Sequence, residues 1–177
     1  MENLEEQIRR FVKSEKFNQE VSQDFLELLE TGSYIREEGA ERHYSVYFLP
    51  YNPATKRVFI VHHKKSGLWL SPGGHVDSNE TPVDTLRREL KEELGIESNI
   101  YEQPEPFMLS TVEIDNPAAP QCRKHYDIWY LVNTNGDNFN VDTREFLDTK
   151  WLTLNEAREL VTDPSGLEAL NFVENNS

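Results

Sequence analysis

The stretch from Gly74 to Ile96, GHVDSNETPVDTLRRELKEELGI, decides how the chain is organised. Thr81 can cap a helix, Pro82 suits its first turn, Asp84 completes a Thr-x-x-Asp capping pattern and Gly95 is placed to end it. At about 100° per residue, Val83, Leu86, Leu90 and Leu94 share one arc, and Glu89, Glu92 and Glu93 share the adjacent one. Glu89 and Glu93 stand one turn apart, so like charges repel by roughly 0.2–0.5 kcal/mol per pair. Arg88, four residues before Glu92, offsets part of this. Two readings remain open for the carboxylate side: a solvated acidic face, or a seat for a hard divalent cation that takes oxygen ligands.

Working outward, apolar and turn residues alternate in a way that predicts a mixed α/β core. Strands are expected at Tyr44 to Leu49, Val58 to His62, Leu68 to Leu70, Phe107 to Ile114, His125 to Val132 and Asp148 to Leu152. Turns are expected at Asp115 to Pro120 and Asn133 to Asn138. Asn155 to Val161 and Ser165 to Val173 read as closing helices. Upstream, Leu4, Ile8, Phe11 and Val12 fall at helical spacing. Val21, Phe25, Leu28 and Leu29 repeat that spacing after a cap at Asn18, and Thr31-Gly32-Ser33 is the stop. The expected organisation is therefore an amino-terminal helical hairpin over residues 1–40 followed by a domain over 41–177. The hairpin reads either as a stabilising or homodimerising appendage or as a lid over a substrate.

With 32 acidic against 18 basic residues in 177, the chain carries a net charge of −14. That field repels nucleic acid and anionic membrane surfaces, so neither is an expected partner, and phosphate chemistry would need a local cation. Cys122 has no second cysteine to pair with. No disulfide framework or thiolate zinc cluster can be drawn, and a reducing, cytoplasmic setting is expected. No signal-peptide core or apolar run of membrane-spanning length is visible.

The stretch resembles the Nudix box, Gly-x5-Glu-x7-Arg-Glu-U-x-Glu-Glu-x-Gly-U, with Gly74, Glu80, Arg88, Glu89, Leu90, Glu92, Glu93, Gly95 and Ile96 in its fixed positions. Trp69 to Gly74, WLSPGG, looks like the strand-to-loop approach common in that family. The resemblance implies an α/β/α sandwich with a mixed sheet. It also implies Mg²⁺- or Mn²⁺-dependent hydrolysis of a pyrophosphate bond in a nucleoside diphosphate linked to another moiety. On this reading Glu89 and Glu93 are the principal metal ligands, Glu92 an additional one, and the Gly73 carbonyl a backbone ligand. Arg88 would orient Glu92 or a neighbour, and Glu80 would brace the loop. The general base comes either from the box helix, as Glu89 or Glu92, or from a later loop, where Glu145 precedes Trp151 by six residues. An intact box argues against the alternative of an inactive nucleotide-binding or regulatory domain.

His62 and His63 are adjacent on a strand and must face opposite ways, so they make a poor ligand pair. The His62 to Trp69 stretch resembles a strand and turn in bacterial members that also carry a helical amino-terminal extension. Those relatives have a later His-x-Asp pair, matched here by His125 and Asp127. Alternation puts Arg123, His125, Asp127 and Trp129 on one face of that strand and Tyr126, Ile128 and Tyr130 on the other. Arg123, His125 and Asp127 are thus substrate-contact candidates, set against a plain structural His–Asp hydrogen bond. Trp69 and Trp151 read as core. Thr111 stands where ADP-ribose hydrolases would carry a proline, so the resemblance leaves the substrate open.

Overall fold

A computed structural model describes residues 2–97, 104–114, 122–135 and 138–176. Asn3 accepts the Glu6 amide and Glu6 returns a carboxylate to the Asn3 amide, opening helix α1 (Leu4–Phe11). Asn18 caps α2 (Gln19–Glu30) through the amides of Glu20 and Val21. A short 3₁₀ turn at Arg36–Glu38 leads into the sheet. Its strands are β1 (Arg42–Asn52), β2 (Arg57–His63), β3 (Trp69–Leu70), β4 (Gly73–His75), β5 (Met108–Glu113), β6 (Lys124–Asn133) and β7 (Phe146–Thr153). Helix α3 (Pro82–Leu94) follows β4, and α4 (Leu154–Leu160) and α5 (Pro164–Asn176) follow β7.

β1 is the hub of the sheet. One edge pairs parallel with β6, from Arg42 opposite Lys124 to Tyr51 opposite Asn133. The other edge is shared by two antiparallel partners, β4 through Ser45 opposite His75 and β2 through Tyr51 opposite Val58. β2 also pairs antiparallel with β3 and β7, and β5 pairs antiparallel with β6. The sheet is mixed, as expected.

Each face of this sheet carries helices over an apolar cluster. Tyr44, Val46 and Phe48 of β1 and Tyr126, Ile128 and Tyr130 of β6 lie in one buried cluster with Ile8, Phe11, Phe25 and Leu28 of the hairpin and Leu86, Leu90 and Leu94 of α3. Leu49, Tyr51, Met108 and Trp129 on the other face cluster with Ala157, Ala169, Leu170 and Val173 of α4 and α5. The result is an α/β/α sandwich. The stripes of α1 and α2 are buried against the chain's own sheet. The Tyr44 hydroxyl fixes them there by donating to the Phe25 carbonyl at 2.7 Å.

Element boundaries differ from the sequence expectation by one to a few residues, with one addition. β4 was not expected, because Gly73 and Gly74 offer no apolar alternation to read. Asn133 belongs to β6, and residues 136–137 of the turn expected from that position lie outside the described residues. The turn expected at Asp115 to Pro120 lies outside the described residues.

Candidate metal and active site

Gly73 has φ of +153°, and a Cβ there would strike the Val46 carbonyl and Tyr47 Cα. Only glycine lets β4 run this close to β1. Its neighbour Gly74 faces the Glu89 carboxylate, with which a Cβ would overlap. Thr81 and Asp84 form the capping box that starts α3, and Gly95, in the left-handed region at φ 67°, ends it by donating to Leu90 and Lys91 carbonyls. Between these fixed ends, Leu86, Leu90 and Leu94 are buried in the core, which turns Glu89 and Glu93 toward β4.

Glu89 and Glu93 are 7% and 3% exposed, whereas the Glu92 side chain is 58% exposed. The acidic side is therefore two buried carboxylates and one at the rim, not a uniformly solvated face. Burial, reinforced by Glu92 and Glu145 and opposed by Arg88, pushes Glu89 up to about 7. Burial, then the charges of Glu89 and Glu145, pushes Glu93 up to about 9, although the Gly73 amide donates to it. Glu93 Oε2 is buried without a hydrogen-bond partner. Two crowded carboxylates with an unpartnered oxygen are a donor set suited to a hard divalent cation.

Arg88 ties the box together. Its Nε and Nη2 donate to Glu80 at 2.8 and 2.9 Å, Nη1 to Glu89 at 2.5 Å and more distantly to Glu92 at 3.4 Å, and Nη2 also to the His75 carbonyl at 3.0 Å. Burial would raise the Glu80 carboxyl, but bonds from Arg88 and Thr85 outweigh it and hold it low. Glu80 thus spans the loop from the Asp77 amide to Thr85 on α3. Arg88 orients Glu89 more closely than Glu92.

Glu145 is exposed on the turn before β7, near enough for its charge to reach both Glu89 and Glu93. Its carbonyl accepts the Lys64 amide at 2.8 Å, and Lys64 Nζ donates to the Thr143 carbonyl at 2.7 Å. This joins the β2–β3 turn to the β7 approach. The exposed cations Lys64, Lys65 and Arg144 gather there; sequence patterning did not single them out, since their segments are about 80 residues apart.

The Arg123, His125 and Asp127 set is not brought together around one ligand. Arg123 is exposed and paired with Glu41 at 3.1 Å. Asp127 is buried and accepts the Ser45 hydroxyl at 2.5 Å. His125 meets His75, with their Nε2 atoms 3.3 Å apart, and packs against His43. Burial and the neighbouring imidazoles push His75 down to about 2; burial, His43 and Arg36 push His125 down to about 3. Each strand face was legible, but the register that brings three histidines together was not.

His62 stacks on Trp69 at 4.9 Å, whereas His63 lies near Phe146, consistent with opposite orientations. Trp151 is half-buried and packs on Phe59 and Phe139. Trp69 is half-buried too, between His62 and Lys150.

The NUDIX domain family model matches residues 41–170, and the chain belongs to that family. It is 28% identical over 108 residues to an RNA pyrophosphohydrolase of Ruthia magnifica subsp. Calyptogena magnifica, covering 55% of this chain and 60% of that protein. A nucleoside triphosphatase NudI of Enterobacter sp. (strain 638) is 29% identical over 110 residues, covering 57% of this chain and 78% of the relative. Among solved structures, the E. coli dihydroneopterin triphosphate pyrophosphohydrolase superposes with a TM-score of 0.66 at 25% identity, covering 77% of this chain and 98% of that one. Among the described residues no helix is long and apolar enough to cross a membrane.

Proposed function

We propose that this chain is a divalent-metal-dependent hydrolase that cleaves a pyrophosphate bond in a nucleoside diphosphate derivative. The observation that carries this reading is the buried Glu89 and Glu93 pair, with its unpartnered oxygen, beside the two glycines of β4 that leave no room for a Cβ. Glu89, Glu93, the more exposed Glu92 and the Gly73 carbonyl would hold Mg²⁺ or Mn²⁺. Such an ion, when bound, neutralises phosphate oxygens and makes attack by water at phosphorus easier.

The chain's own residues do the rest. Arg88 fixes the Glu89 carboxylate and, through Glu80, the loop before α3. Glu145, exposed at the rim, would take a proton from the attacking water; Glu92 or Glu89 is the alternative base. Lys64 and Lys65 offer positive charge to substrate phosphate in an otherwise acidic chain. The activities named for the relatives, on RNA, nucleoside triphosphates and dihydroneopterin triphosphate, share a polyphosphate and support that substrate class.

The test is a phosphate-release screen with Mg²⁺ and with Mn²⁺ across nucleotide sugars, dinucleotides, nucleoside triphosphates, inositol polyphosphates and 5′-triphosphorylated RNA. Metal-dependent turnover of one class, abolished in Glu93→Gln, is expected. Tight nucleotide binding with no turnover would instead establish the regulatory reading.

A further inference from the structure

His43, His75, Cys122 and His125 form a second cluster of ligand-type side chains, separate from the carboxylates of α3. Their ligating atoms all lie within 4.8 Å of one another, with His43 and Cys122 buried and the other two half-buried. The three imidazole rings are mutual neighbours, with ring centroids 4.7, 4.9 and 5.0 Å apart. The sheet builds this arrangement. His43 on β1 is in register with His125 on β6, while His75 on β4 pairs opposite Ser45, which shares a β1 face with His43. Cys122 lies three residues before His125.

We propose that these four residues bind one Zn²⁺ ion in a closed structural site. His43 Nδ1 lies 3.0 Å from the Ala40 carbonyl, which has only lone pairs to offer, so that nitrogen carries the proton. Nε2 is then a bare lone pair, and it is buried without a partner. A backbone carbonyl that accepts from the other ring nitrogen commonly orients a histidine bound to zinc. In a tetrahedral site with Zn–N of about 2.05 Å and Zn–S of about 2.3 Å, ligand atoms are separated by about 3.3 Å between nitrogens and about 3.6 Å from nitrogen to sulfur. The His75 to His125 separation of 3.3 Å matches the first value. The remaining ligand atoms, which lie within 4.8 Å of one another, must close by about 1 Å to reach these spacings.

Three imidazoles and one thiolate suit Zn²⁺, whereas Mg²⁺ and Mn²⁺ prefer the oxygen ligands of the box. With four protein ligands the site keeps no open position for substrate, so its role is to pin the strand bearing Gly73 and Gly74 to β1 and β6. This removes His125 from the substrate contacts and gives it a structural partner set.

The test uses full-length protein without a histidine tag, stripped with chelator and titrated with Co²⁺. Cys122 is the single cysteine of the chain, so a thiolate-to-cobalt charge-transfer band can come from no other residue. The expected result is that band, with the strong visible absorption of tetrahedral cobalt, saturating at one equivalent and erased by one equivalent of Zn²⁺. Cys122→Ser should abolish the band, and His43→Ala should weaken cobalt binding at least tenfold. Should either variant fail to fold, the wild-type spectrum alone decides. Weak octahedral absorption without charge transfer, the signature of cobalt on carboxylates, would overturn the zinc site whether or not the hydrolase reading holds.

Discussion

Gly74 lies so close to Glu89 that a Cβ on residue 74 would overlap the Glu89 carboxylate. The atom displaced is the free end of a flexible side chain, so a methyl group there moves a functional carboxylate rather than the backbone. Gly74→Ala should therefore fold, losing less than about 1 kcal/mol or about 2–4 °C in melting temperature. Turnover should fall by about 100-fold, the scale of a misplaced catalytic group. Wild-type activity in a folded Gly74→Ala protein would show that Glu89 need not stay where it is found.

Arg88 bonds Glu80, Glu89 and the His75 carbonyl at once, with its side chain 23% exposed. Arg88→Lys keeps the charge but loses the planar fork that meets several acceptors. Removing one partner of a largely buried ion pair strands the other, and partial solvent screening brings the cost to about 2–3 kcal/mol. Urea denaturation should show Arg88→Ala losing that amount, with lysine recovering only a minority of it. Equal stability of all three proteins would demote the network to decoration.

Glu145 separates the two candidate locations of the base. A general base acts in the transition state, so Glu145→Gln should lower kcat by about 100- to 10,000-fold and leave KM within about threefold. If kcat is unchanged, the base belongs to the box helix.

The box was readable because its capping, apolar arc and acidic arc all lie within one helix, where spacing in sequence equals geometry in space. Glu145 was singled out by the resemblance of the loop before Trp151, and the fold brings its charge within reach of Glu89 and Glu93. β4 was not, since two glycines carry no pattern. The histidine cluster was hidden for a different reason: alternation gives each residue a face but does not say that His43 pairs with His125, which lies 82 residues further on. Nor could sequence tell that Asp127 would find Ser45 rather than His125.

Asp127 gives the stability a defined pH dependence. Burial, opposed by the Ser45 bond and reinforced by Asp163, raises it from its ordinary 3.8 to about 7. The folded state thus holds this proton more tightly than the unfolded chain. Its contribution is complete below about pH 4, declines as pH rises and is gone above about pH 7. The lowered imidazoles of His75 and His125 act in the opposite sense below about pH 6.5, but equally in wild type and variant. Asp127→Asn should therefore gain stability relative to wild type between pH 5 and pH 8, by about 1 kcal/mol or more. Parallel stability curves for the two proteins would refute the buried, protonated carboxyl.

The amino-terminal helices supply one wall of the core. Ile8, Phe11, Phe25 and Leu28 are at most 1% exposed, and Phe25 packs its ring against Tyr44 and Tyr126 at 5.5 Å. At about 1.5–3 kcal/mol for each large apolar side chain, removing four such residues withdraws an amount comparable to the whole stability of a domain, about 5–15 kcal/mol. Deleting residues 1–36 would also leave the Tyr44 hydroxyl without the Phe25 carbonyl. The truncated chain should aggregate or lose its far-ultraviolet dichroism, and Phe25→Ala alone should cost about 3–5 kcal/mol while leaving kcat of the folded fraction near wild type. Light scattering, dichroism and steady-state kinetics on both proteins decide between a wall and a lid. A truncated chain that stays folded and monodisperse but changes its substrate preference would make the hairpin a lid over the site, because a wall of the core cannot be removed without exposing the apolar face it covers.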